Sequence, residues 1–497
     1  MRWARLCWTA MDPLAAYMFR GADRDRLAEL IVSGAKTATV SRVAEYVGPL
    51  PKVGDREVVV DSLGRPVCLT ENTAVDVLAW EDITWAQAAA EGEGHRSLGE
   101  YVAAHEAFWQ TYVDAPEGVL AVGEVVWVQF RVVADLRGRY PLGARVPVVQ
   151  APMAGGPATP ALAAAVCAAG GLGMLAGGYQ SADSLRQEIA ALEDLTEGPY
   201  GINLFVPASR AKAPGGDASA SQLGPRHGLV AAAERDAAVG EYAARLGAAG
   251  YPTAAPQSED VADYEAKLEV ALASHALCVS FTFGIPPAAD LARVRAAGKA
   301  VVLQAVSPEG ITAALAAGAD VLVVQGPAAG GHRAANAHWE EDTAATSLEE
   351  LLACAAAAID AHASRVLLIA AGGIASAADV ARARAAGADM VQVGTALLRA
   401  EEAGTQPLHR RALREWADRP TATTRAFSGR MARGISNRVM EEFSAVAPAA
   451  YPELHYVTAP MKRAGDLEAM SLWAGTGFPR GVEAPAVDII AALMADE

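Results

Sequence analysis

Eight short apolar runs, each followed by a longer alanine-rich stretch, recur along the chain from Val146 onward. Runs of this length are typical of strands buried on both faces, and the stretches between them are long enough for helices. Strands that alternate with helices form a parallel sheet, and a count of eight favours a closed (β/α)8 barrel over an open doubly wound sheet. The predicted strands are residues 146–153, 171–178, 200–206, 277–284, 300–306, 320–326, 365–373 and 389–398.

The alternation covers only part of the chain, which at 497 residues is longer than one ordinary domain. Six of the nine tryptophans lie before residue 130, so we predict a separate small α+β domain over 1–136. A linker over 137–144 would join it to a barrel domain over 145–497. Within the barrel domain, the polar segment 208–265 is predicted to be a helical insertion. Residues 405–497 lack strand alternation and are predicted to form a helical cap.

The charge and the cysteines exclude several classes of protein. With 58 acidic against 41 basic residues the net charge is −17, which argues against a general binder of nucleic acid or anionic membranes. The five cysteines are scattered and lack CxxC spacing, so we expect a reducing cytoplasm, no disulfide framework and no metal site. We expect no signal peptide and no membrane span, since no apolar run reaches roughly 18 residues without a charge, glycine or proline.

The sixth apolar run ends in a loop with the composition of an active site, VQGPAAGGHR at 324–333. Gln325 supplies a polar amide, Gly330 and Gly331 supply bare backbone, and His332 supplies a titratable imidazole. All four follow the carboxyl end of a buried strand, which is where barrels of parallel strands build their active sites. His332 is therefore the predicted catalytic residue.

Glycine-containing segments at the seventh and eighth runs predict a phosphate cradle. Glycines permit close backbone approach to a phosphate, and a threonine hydroxyl can add a hydrogen bond. Gln304, at the end of the fifth run, fits a contact with the same centre and a structural role equally well. The predicted cofactor contacts are Gly372, Gly373, Gln392, Val393, Gly394 and Thr395 in the cradle, Gln150, Ala151, Pro152 and Met153 at the end of the first run, Asn203 in the third, and Gln325, Gly330 and Gly331 in the histidine loop.

Residues 145–497 resemble the class I nitronate monooxygenases, formerly called 2-nitropropane dioxygenases. The resemblance is carried by QAPMAGG, GINLFVP, VQGPAAGGHR, AAGGI, VQVGTALL and SLWAGTG, which occur in the family's order. It implies a TIM barrel that binds FMN. The FMN contacts that it implies are Asn203, Gln325, Gly330, Gly373 and Gln392–Thr395. The sequence departs from the family at Ala328, where an acidic residue is common, and at Ala334, where glycine is common. Both changes bear on substrate preference.

The resemblance also implies a reaction, in which a nitronate passes electrons to FMN and O2 then reacts to give a carbonyl compound and nitrite. A nitronate is already deprotonated, whereas a neutral nitroalkane must first lose its α-proton, a task for a neutral imidazole near pH 7. His332 would then hydrogen-bond the nitro group or act as the base. Tyr451, Tyr456 and Lys462 are candidates for the substrate side of the flavin, although a core or surface role fits each as well.

Other uses of a similar barrel stay open. Flavin-dependent enoyl-thioester reductases share the QGxxAGGH pattern and would need NAD(P)H and a groove for an acyl carrier. The SLWAGTG and GINLFVP segments favour the monooxygenase. An inosinate-type dehydrogenase fits less well, because no cysteine follows GGI to act as nucleophile. A non-catalytic flavin binder would leave the histidine loop without a role. The particular nitronate and the oligomeric state are not predicted.

Residues 1–136 resemble the ASCH domain, a PUA-like β-barrel, through SGAKTATVS (33–41), PLPKVGD (49–55) and AEGEGHRSLGEYVAAHEAFW (90–109). The resemblance implies recognition of RNA or a modified nucleoside, or an amidohydrolase acting on acylated cytidine. The residues that it implies are Lys36, Thr39 as nucleophile or positioning group, and Glu93 as acid/base. Lys36 and Glu93 fit solvated surface charges equally well. With 12 basic against 20 acidic residues the segment carries −8, which favours a small polar ligand or a protein contact over phosphate-backbone binding.

Overall fold

The computed structural model describes residues 15–17, 24–46, 48–61, 66–112, 122–136, 141–208, 232–258, 261–336, 346–361 and 366–495. The chain divides into two compact units, Met1–Gly143 and Ala144–Glu497, and each has its own hydrophobic core. The boundary lies inside the segment predicted as a linker.

The first unit is a small α+β domain. Its described strands are β1 (Ala15–Tyr17), β2 (Ala38–Arg42), β3 (Arg56–Val60), β4 (Pro66–Ala79) and β5 (Glu124–Asp135), and its helices are α1 (Arg24–Val32), α2 (Trp85–Ala90) and α3 (Leu98–Tyr112). The sheet order is β1-β3-β4-β5-β2, antiparallel except between β1 and β3. Two register shifts between β4 and β5 act as bulges, which increase the twist of a sheet. Buried Trp80, Trp109 and Trp127 fill the core on one side of it.

The second unit contains the predicted barrel, and each predicted run contains a strand. The strands are β6 (Val148–Gln150), β7 (Gly173–Ala176), β8 (Tyr200–Phe205), β9 (Cys278–Thr282), β10 (Ala300–Ala305), β11 (Val321–Gln325), β12 (Gly331–His332), β13 (Leu367–Ala371) and β14 (Met390–Val393). All but β12 form a parallel sheet in the order β6-β14-β13-β11-β10-β9-β8-β7. The ring closes at Leu172, whose N–H donates to the Val148 carbonyl and whose carbonyl accepts from the Gln150 N–H, both at 2.9 Å.

Helices cover the outside of this ring. They are α4 (Pro160–Ala168), α5 (Ala182–Leu195), α7 (Val261–Ala273), α8 (Ala288–Ala296), α9 (Pro308–Ala316), α10 (Leu348–Asp360) and α11 (Ala377–Ala385). Helix α6 (Ala232–Ala248) instead packs Tyr242 and Leu246 into a separate cluster with Phe427. The predicted insertion 208–265 contains α6 and the start of α7, while residues 209–231 lie outside the described residues. Tyr264 and Leu268 place α7 on the barrel core. Only the part of this segment before α7 therefore departs from the barrel.

The segment after β14 is not wholly helical, which corrects the prediction of a helical cap. It contains α12 (Pro407–Glu415), β15 (Thr421–Thr424), β16 (Ala432–Ile435), α13 (Arg438–Phe443), α14 (Glu453–Val457), α15 (Ala459–Arg463) and α16 (Ala486–Leu493). Strands β15 and β16 form an antiparallel hairpin, and β16 also pairs with β12. Strands of four residues that contain glycine, arginine and threonine carry too little alternation to be recognised from sequence.

Helix α16 belongs to the barrel rather than to the cap. Its buried residues Ile489 and Ile490 share one core cluster with Leu162 of α4. The chain between β14 and α16 is therefore an insertion before the last helix of the barrel. Its ends are neighbours, because the Glu401 N–H donates to the Ala484 carbonyl at 3.1 Å. We call residues 405–485 the cap segment below.

Candidate active site

A cavity of about 530 Å³ opens at the carboxyl ends of the barrel strands, lined by barrel loops and the cap segment. This is the size of a site for a cofactor or small molecule. The predicted residues that line it are Ala151, Pro152, Met153, Asn203, Gln304, Gln325, Gly330, Gly331, His332, Gly372, Gly373, Gln392, Gly394 and Thr395. Folding thus brings residues from the first to the eighth barrel strand to one cavity.

Two predicted contacts, Gln150 and Val393, do not line the cavity. Gln150 is fully buried, and its side-chain amide donates to the Met174 carbonyl at 2.9 Å. Val393 is part of the barrel core. Successive side chains of a strand point to opposite sides, so Val393 faces away while Gln392 and Gly394 reach the cavity. The sequence motifs that contain Gln150 and Val393 do not show whether a side chain points into the cavity or away from it.

The cradle at the end of β13 depends on two glycines in the left-handed region, Gly372 (φ 102°) and Gly373 (φ 80°). A Cβ atom on Gly373 would lie 3.0 Å from the Cβ of Ala328. Helix α11 begins just beyond, with Ser376 as its N-cap. A helix N-terminus presents unpaired N–H groups that favour an anion. The bare turn and the helix end together form an anion-binding arrangement.

A second close approach joins the histidine loop to the cap segment. A Cβ atom on Gly330 would lie 2.3 Å from the nitrogen of Gly475, so no other residue fits there without backbone movement. The Gly475 N–H donates to the Thr395 hydroxyl at 2.9 Å. Thr395 was predicted to bind a phosphate, and in the structure its oxygen also holds the SLWAGTG loop.

Three amide side chains at the cavity have different roles. The Asn203 side-chain nitrogen donates to the hydroxyls of Ser280 and Thr282 at 3.0 and 2.9 Å, while its buried Oδ1 has no partner among the described residues. Gln304 donates to the Phe281 carbonyl at 3.3 Å. Both ends of the Gln325 amide serve the histidine loop, since its Nε2 donates to the His332 carbonyl and its Oε1 accepts from the Ala334 N–H.

His332 is held by backbone pairing and by aromatic contacts. Strand β12 pairs with β16, which places His332 opposite Ala432. The rings of Phe283 and Trp473 each lie with centroids 5.6 Å from the imidazole. Burial, followed by the charges of Arg430 and Lys462, lowers the pKa of His332 to about 3. The imidazole is therefore neutral at physiological pH.

Of the three candidates for the substrate side of the flavin, two line the cavity and one does not. Tyr456 and Lys462 line the cavity, whereas Tyr451 is buried beside Phe283 and His332 and does not line it. The Lys462 amine donates to the His455 carbonyl at 3.0 Å. Burial, followed by the nearby charge of Arg463, lowers the pKa of Lys462 to about 7. This amine can therefore change its charge in the physiological range.

Several functional candidates escaped the sequence analysis. Tyr179 and His455 stack in parallel with their ring centroids 4.0 Å apart, and both line the cavity. Phe205 packs edge-on against Tyr179. No local pattern marks these aromatic residues, because they come from three separate segments: the loop after β7, the end of β8 and helix α14. Trp473 lies inside the SLWAGTG motif and could have been singled out from it.

In the first unit, Lys36 and Glu93 are brought together, and the interpretation of Lys36 as a solvated charge is wrong. Lys36 is 1% exposed, and its amine donates to Glu91 at 2.9 Å and to Glu93 at 2.6 Å. Tyr101 also donates to Glu91. Burial opposes the charge on Lys36, but the two carboxylates outweigh it and raise its pKa. Burial likewise opposes the Glu91 charge, yet Lys36 and His105 hold the Glu91 pKa at about 2.

Thr39, the third residue implied by the ASCH resemblance, lines a separate small cavity with Tyr46, Glu57 and Asn72. Lys36 and Glu93 are not among the residues that line it. Burial, followed by the charge of Asp55, raises the pKa of Glu57 to about 7. The structure therefore divides the three implied residues between two polar clusters.

The described residues contain neither a candidate metal-binding cluster nor a candidate membrane span. No group of three or more His, Cys, Asp or Glu side chains in the described ranges could hold a metal ion. None of the described helices combines the length and the apolar character needed to cross a membrane.

A barrel with a glycine turn beside a helix N-terminus and a neutral histidine in the same cavity is the arrangement expected of an enzyme with a phosphate-bearing cofactor. Comparison with known proteins identifies the family. Residues 142–496 match the family model for nitronate monooxygenase, and the chain therefore belongs to the nitronate monooxygenase family. Residues 15–134 match the model of the ASCH domain.

Individual relatives agree with this assignment. The chain is 35% identical to the nitronate monooxygenase of Paraburkholderia phytofirmans, over 71% of this chain and 92% of that protein. It is 33% identical to a probable nitronate monooxygenase of Bacillus subtilis, over 67% of this chain and 90% of that protein. A solved nitroalkane oxidase from Streptomyces ansochromogenes is 40% identical with a TM-score of 0.63, over 73% of this chain and 97% of that chain. FabK from Thermotoga maritima, at 22% identity and TM-score 0.53, covers 72% of this chain and 94% of its own and shows the fold alone.

The protein is accordingly an oxidoreductase that uses a flavin. Its cavity fits such a group. The unpartnered Oδ1 of Asn203 offers an acceptor, and the left-handed turn at Gly372 and Gly373 leaves bare backbone along the cavity. An unsatisfied buried acceptor costs about 1–3 kcal/mol, which a bound donor would offset.

Proposed function

We propose that the enzyme uses FMN and O2 to oxidise alkyl nitronates to a carbonyl compound and nitrite, with neutral nitroalkanes as a second substrate class. The observation that carries the proposal is the neutral imidazole of His332 in the cavity that also contains the glycine cradle. A cytoplasmic location is part of this proposal, and the buried thiols of Cys167 and Cys278 support it.

Bound FMN would supply the redox chemistry, by accepting electrons from the nitronate and returning them to O2. Gly373 and the loop after β14 would hold the phosphate, with the N-terminus of α11 favouring its charge. Asn203 would accept a hydrogen bond from the flavin through Oδ1. These contacts would position the flavin beside the cap segment, which supplies Trp473 as a neighbour of His332.

The side chains above the cradle would bind and orient the substrate. An anionic nitronate needs a positive charge and a hydrogen-bond donor, and Lys462 supplies both when it is protonated. The rings of Tyr179, His455 and Trp473 surround the same space with apolar surface and so limit access of water. For a neutral nitroalkane, His332 would accept the α-proton.

The test is the visible spectrum of the purified protein under anaerobic conditions. An oxidised flavin spectrum that bleaches or changes to a one-electron-reduced form after addition of propionate 3-nitronate supports the proposal. A flavin that ignores the nitronate and bleaches with NADPH would instead support the enoyl-thioester reductase. Extraction and mass analysis of the flavin distinguish FMN from FAD.

For the ASCH domain we propose binding of a nucleoside-sized polar ligand, either free or within RNA. The match to the ASCH domain supports this proposal. The cavity lined by Thr39, Glu57 and Asn72 measures about 20 Å³, which is room for one water molecule, so a base would bind against its polar rim rather than inside it. Acylcytidine hydrolysis would require Lys36 or Glu93 to leave their mutual contact. Calorimetry with cytidine and N4-acetylcytidine tests binding, and release of acetate tests hydrolysis. If neither binding nor release of acetate is observed, the proposal for the ASCH domain is refuted.

A further inference from the structure

Ser428 lies beside the catalytic candidate in the turn between β15 and β16. Its hydroxyl oxygen is 2.8 Å from Nε2 of His332, and the residue is 2% exposed. The hairpin that carries it is bonded to both sides of His332, through the β12–β16 pairing and through the Arg333 N–H, which donates to the Met431 carbonyl at 2.8 Å. The hydroxyl is therefore held at a defined position relative to the imidazole.

The Arg430 carbonyl offers the Ser428 hydroxyl an acceptor other than His332. The hydroxyl donates to the Arg430 carbonyl at 3.2 Å, and the Arg430 N–H donates back to the hydroxyl oxygen at 3.3 Å. The buried Arg430 guanidinium lies 4.2 Å from the ring centre of Phe283 and donates to the Ala335 carbonyl. Because a hydroxyl has one hydrogen, an oxygen that donates to a carbonyl offers only lone pairs to its other neighbours.

The 2.8 Å contact between Ser428 and Nε2 by itself fits either tautomer of His332, and the donation to the Arg430 carbonyl favours one of them. With the Ser428 hydrogen on the Arg430 carbonyl, Nε2 must carry a hydrogen and donate it to Ser428. In the neutral ring the lone pair then lies on Nδ1. Among the described residues Nδ1 has no hydrogen-bond partner, and it is not enclosed by protein, so it is open to the cavity that His332 lines.

We propose that Ser428 is a positioning residue, which holds His332 in the tautomer whose Nδ1 receives the α-proton of a neutral nitroalkane. The substrate C–H bond breaks, the proton moves to Nδ1, and the bonding electron pair stays on the substrate as the C=N bond of the nitronate. The Nε2–H bond to Ser428 exists before and after this step, so no hydroxyl has to rotate during proton transfer. The role in proton transfer rests on the proposed nitroalkane activity, whereas the tautomer of His332 can be tested without it.

The kinetic test compares Ser428→Ala with wild-type holoenzyme on nitroethane and on its preformed nitronate. Loss of one hydrogen bond that selects the reactive tautomer should lower kcat/KM for nitroethane by about tenfold. Activity on the nitronate should change by less than about twofold, because that substrate needs no base. The isotope effect with α-deuterated nitroethane should rise, since proton transfer becomes slower. Ser428→Thr, which keeps the hydroxyl, should restore nitroethane turnover.

A matched control separates this role from a structural one. Ser444→Ala removes a hydroxyl from the same cap segment, where it contacts Thr424 and the Met440 carbonyl but not His332. It should leave the ratio of the two activities unchanged. Equal losses on both substrates in Ser428→Ala, with an unchanged isotope effect, would overturn the proposal.

A second measurement does not depend on turnover. In protein labelled with ¹⁵N-histidine, the ring signals of His332 are identified by their loss in His332→Gln. The proposal expects a protonated Nε2 and an unprotonated Nδ1 in the wild type, and a mixture of tautomers in Ser428→Ala. A proton on Nδ1 in the wild type would overturn it, even if nitroalkane oxidation itself were absent.

Discussion

The charge of Lys462 should control the pH dependence of nitronate oxidation. Its pKa is lowered to about 7, first by burial and then by Arg463, so the amine loses its charge as the pH rises through neutrality. About nine-tenths of it is protonated at pH 6 and about one-tenth at pH 8. If the nitronate binds only to the charged amine, kcat/KM should fall about tenfold between these values. His332, with a pKa of about 3, stays neutral over this range and cannot produce the change.

The assay measures initial rates with freshly prepared propionate 3-nitronate from pH 5.5 to 9, before the nitronate takes up a proton. Lys462→Arg keeps a positive charge over the whole range, so its profile should lose the fall near neutrality. Lys462→Met should have a low kcat/KM that does not vary with pH. A wild-type profile that is flat from pH 6 to 8, or a Lys462→Arg profile with the same fall, would refute the reasoning.

Three further predictions follow from contacts in the two units. His332→Gln should lower kcat/KM for nitroethane by about 10²–10⁴-fold and spare the nitronate, because only the neutral substrate needs a base; equal losses would exclude that role. Gly330→Ala forces a Cβ atom to 2.3 Å from the backbone at 474–475, so flavin content and melting temperature should both fall. Gly240→Ala, in helix α6 with open space around it, should leave flavin content unchanged and should not lower the melting temperature. Burial raises the Glu57 pKa to about 7, so the folded domain keeps a proton that the unfolded chain releases above its ordinary pKa of 4.5, and stability decreases as the pH rises between these values. Glu57→Gln should therefore stabilise the protein by at most about 3 kcal/mol at pH 8 and have no effect near pH 4; urea unfolding at both pH values checks this, and equal effects at both would contradict it.

The barrel and most of its cavity could be predicted because their determinants are local in sequence. An apolar run such as 320–326 specifies a buried strand by itself, and the glycines of the 370–374 segment specify a turn by themselves. Once the strands form a ring, all their carboxyl ends meet. The residues after them then share one cavity without any further information from the sequence.

The remaining features depend on contacts between distant segments. The stack of Tyr179 on His455 has no local pattern, since neither residue belongs to a periodic run. Burial of Lys36 depends on Glu91, whose carboxylate compensates a charge that would otherwise stay in water. The amide of Gln325 was expected to contact the cofactor, and only the folded loop reveals that it supports the His332 backbone.

The position of the cap segment before the last barrel helix has an evolutionary consequence. Because the chain leaves the barrel near Glu401 and returns near Ala484, the whole segment can be exchanged for that of a relative without cutting the barrel. The cofactor cradle and the strands stay in one parental sequence, while Lys462, His455 and Trp473 come from the other. Chimeras joined at these two positions should exchange substrate preference while keeping the flavin. Substrate preference could then change in evolution by replacement of this one segment, without changes in the barrel.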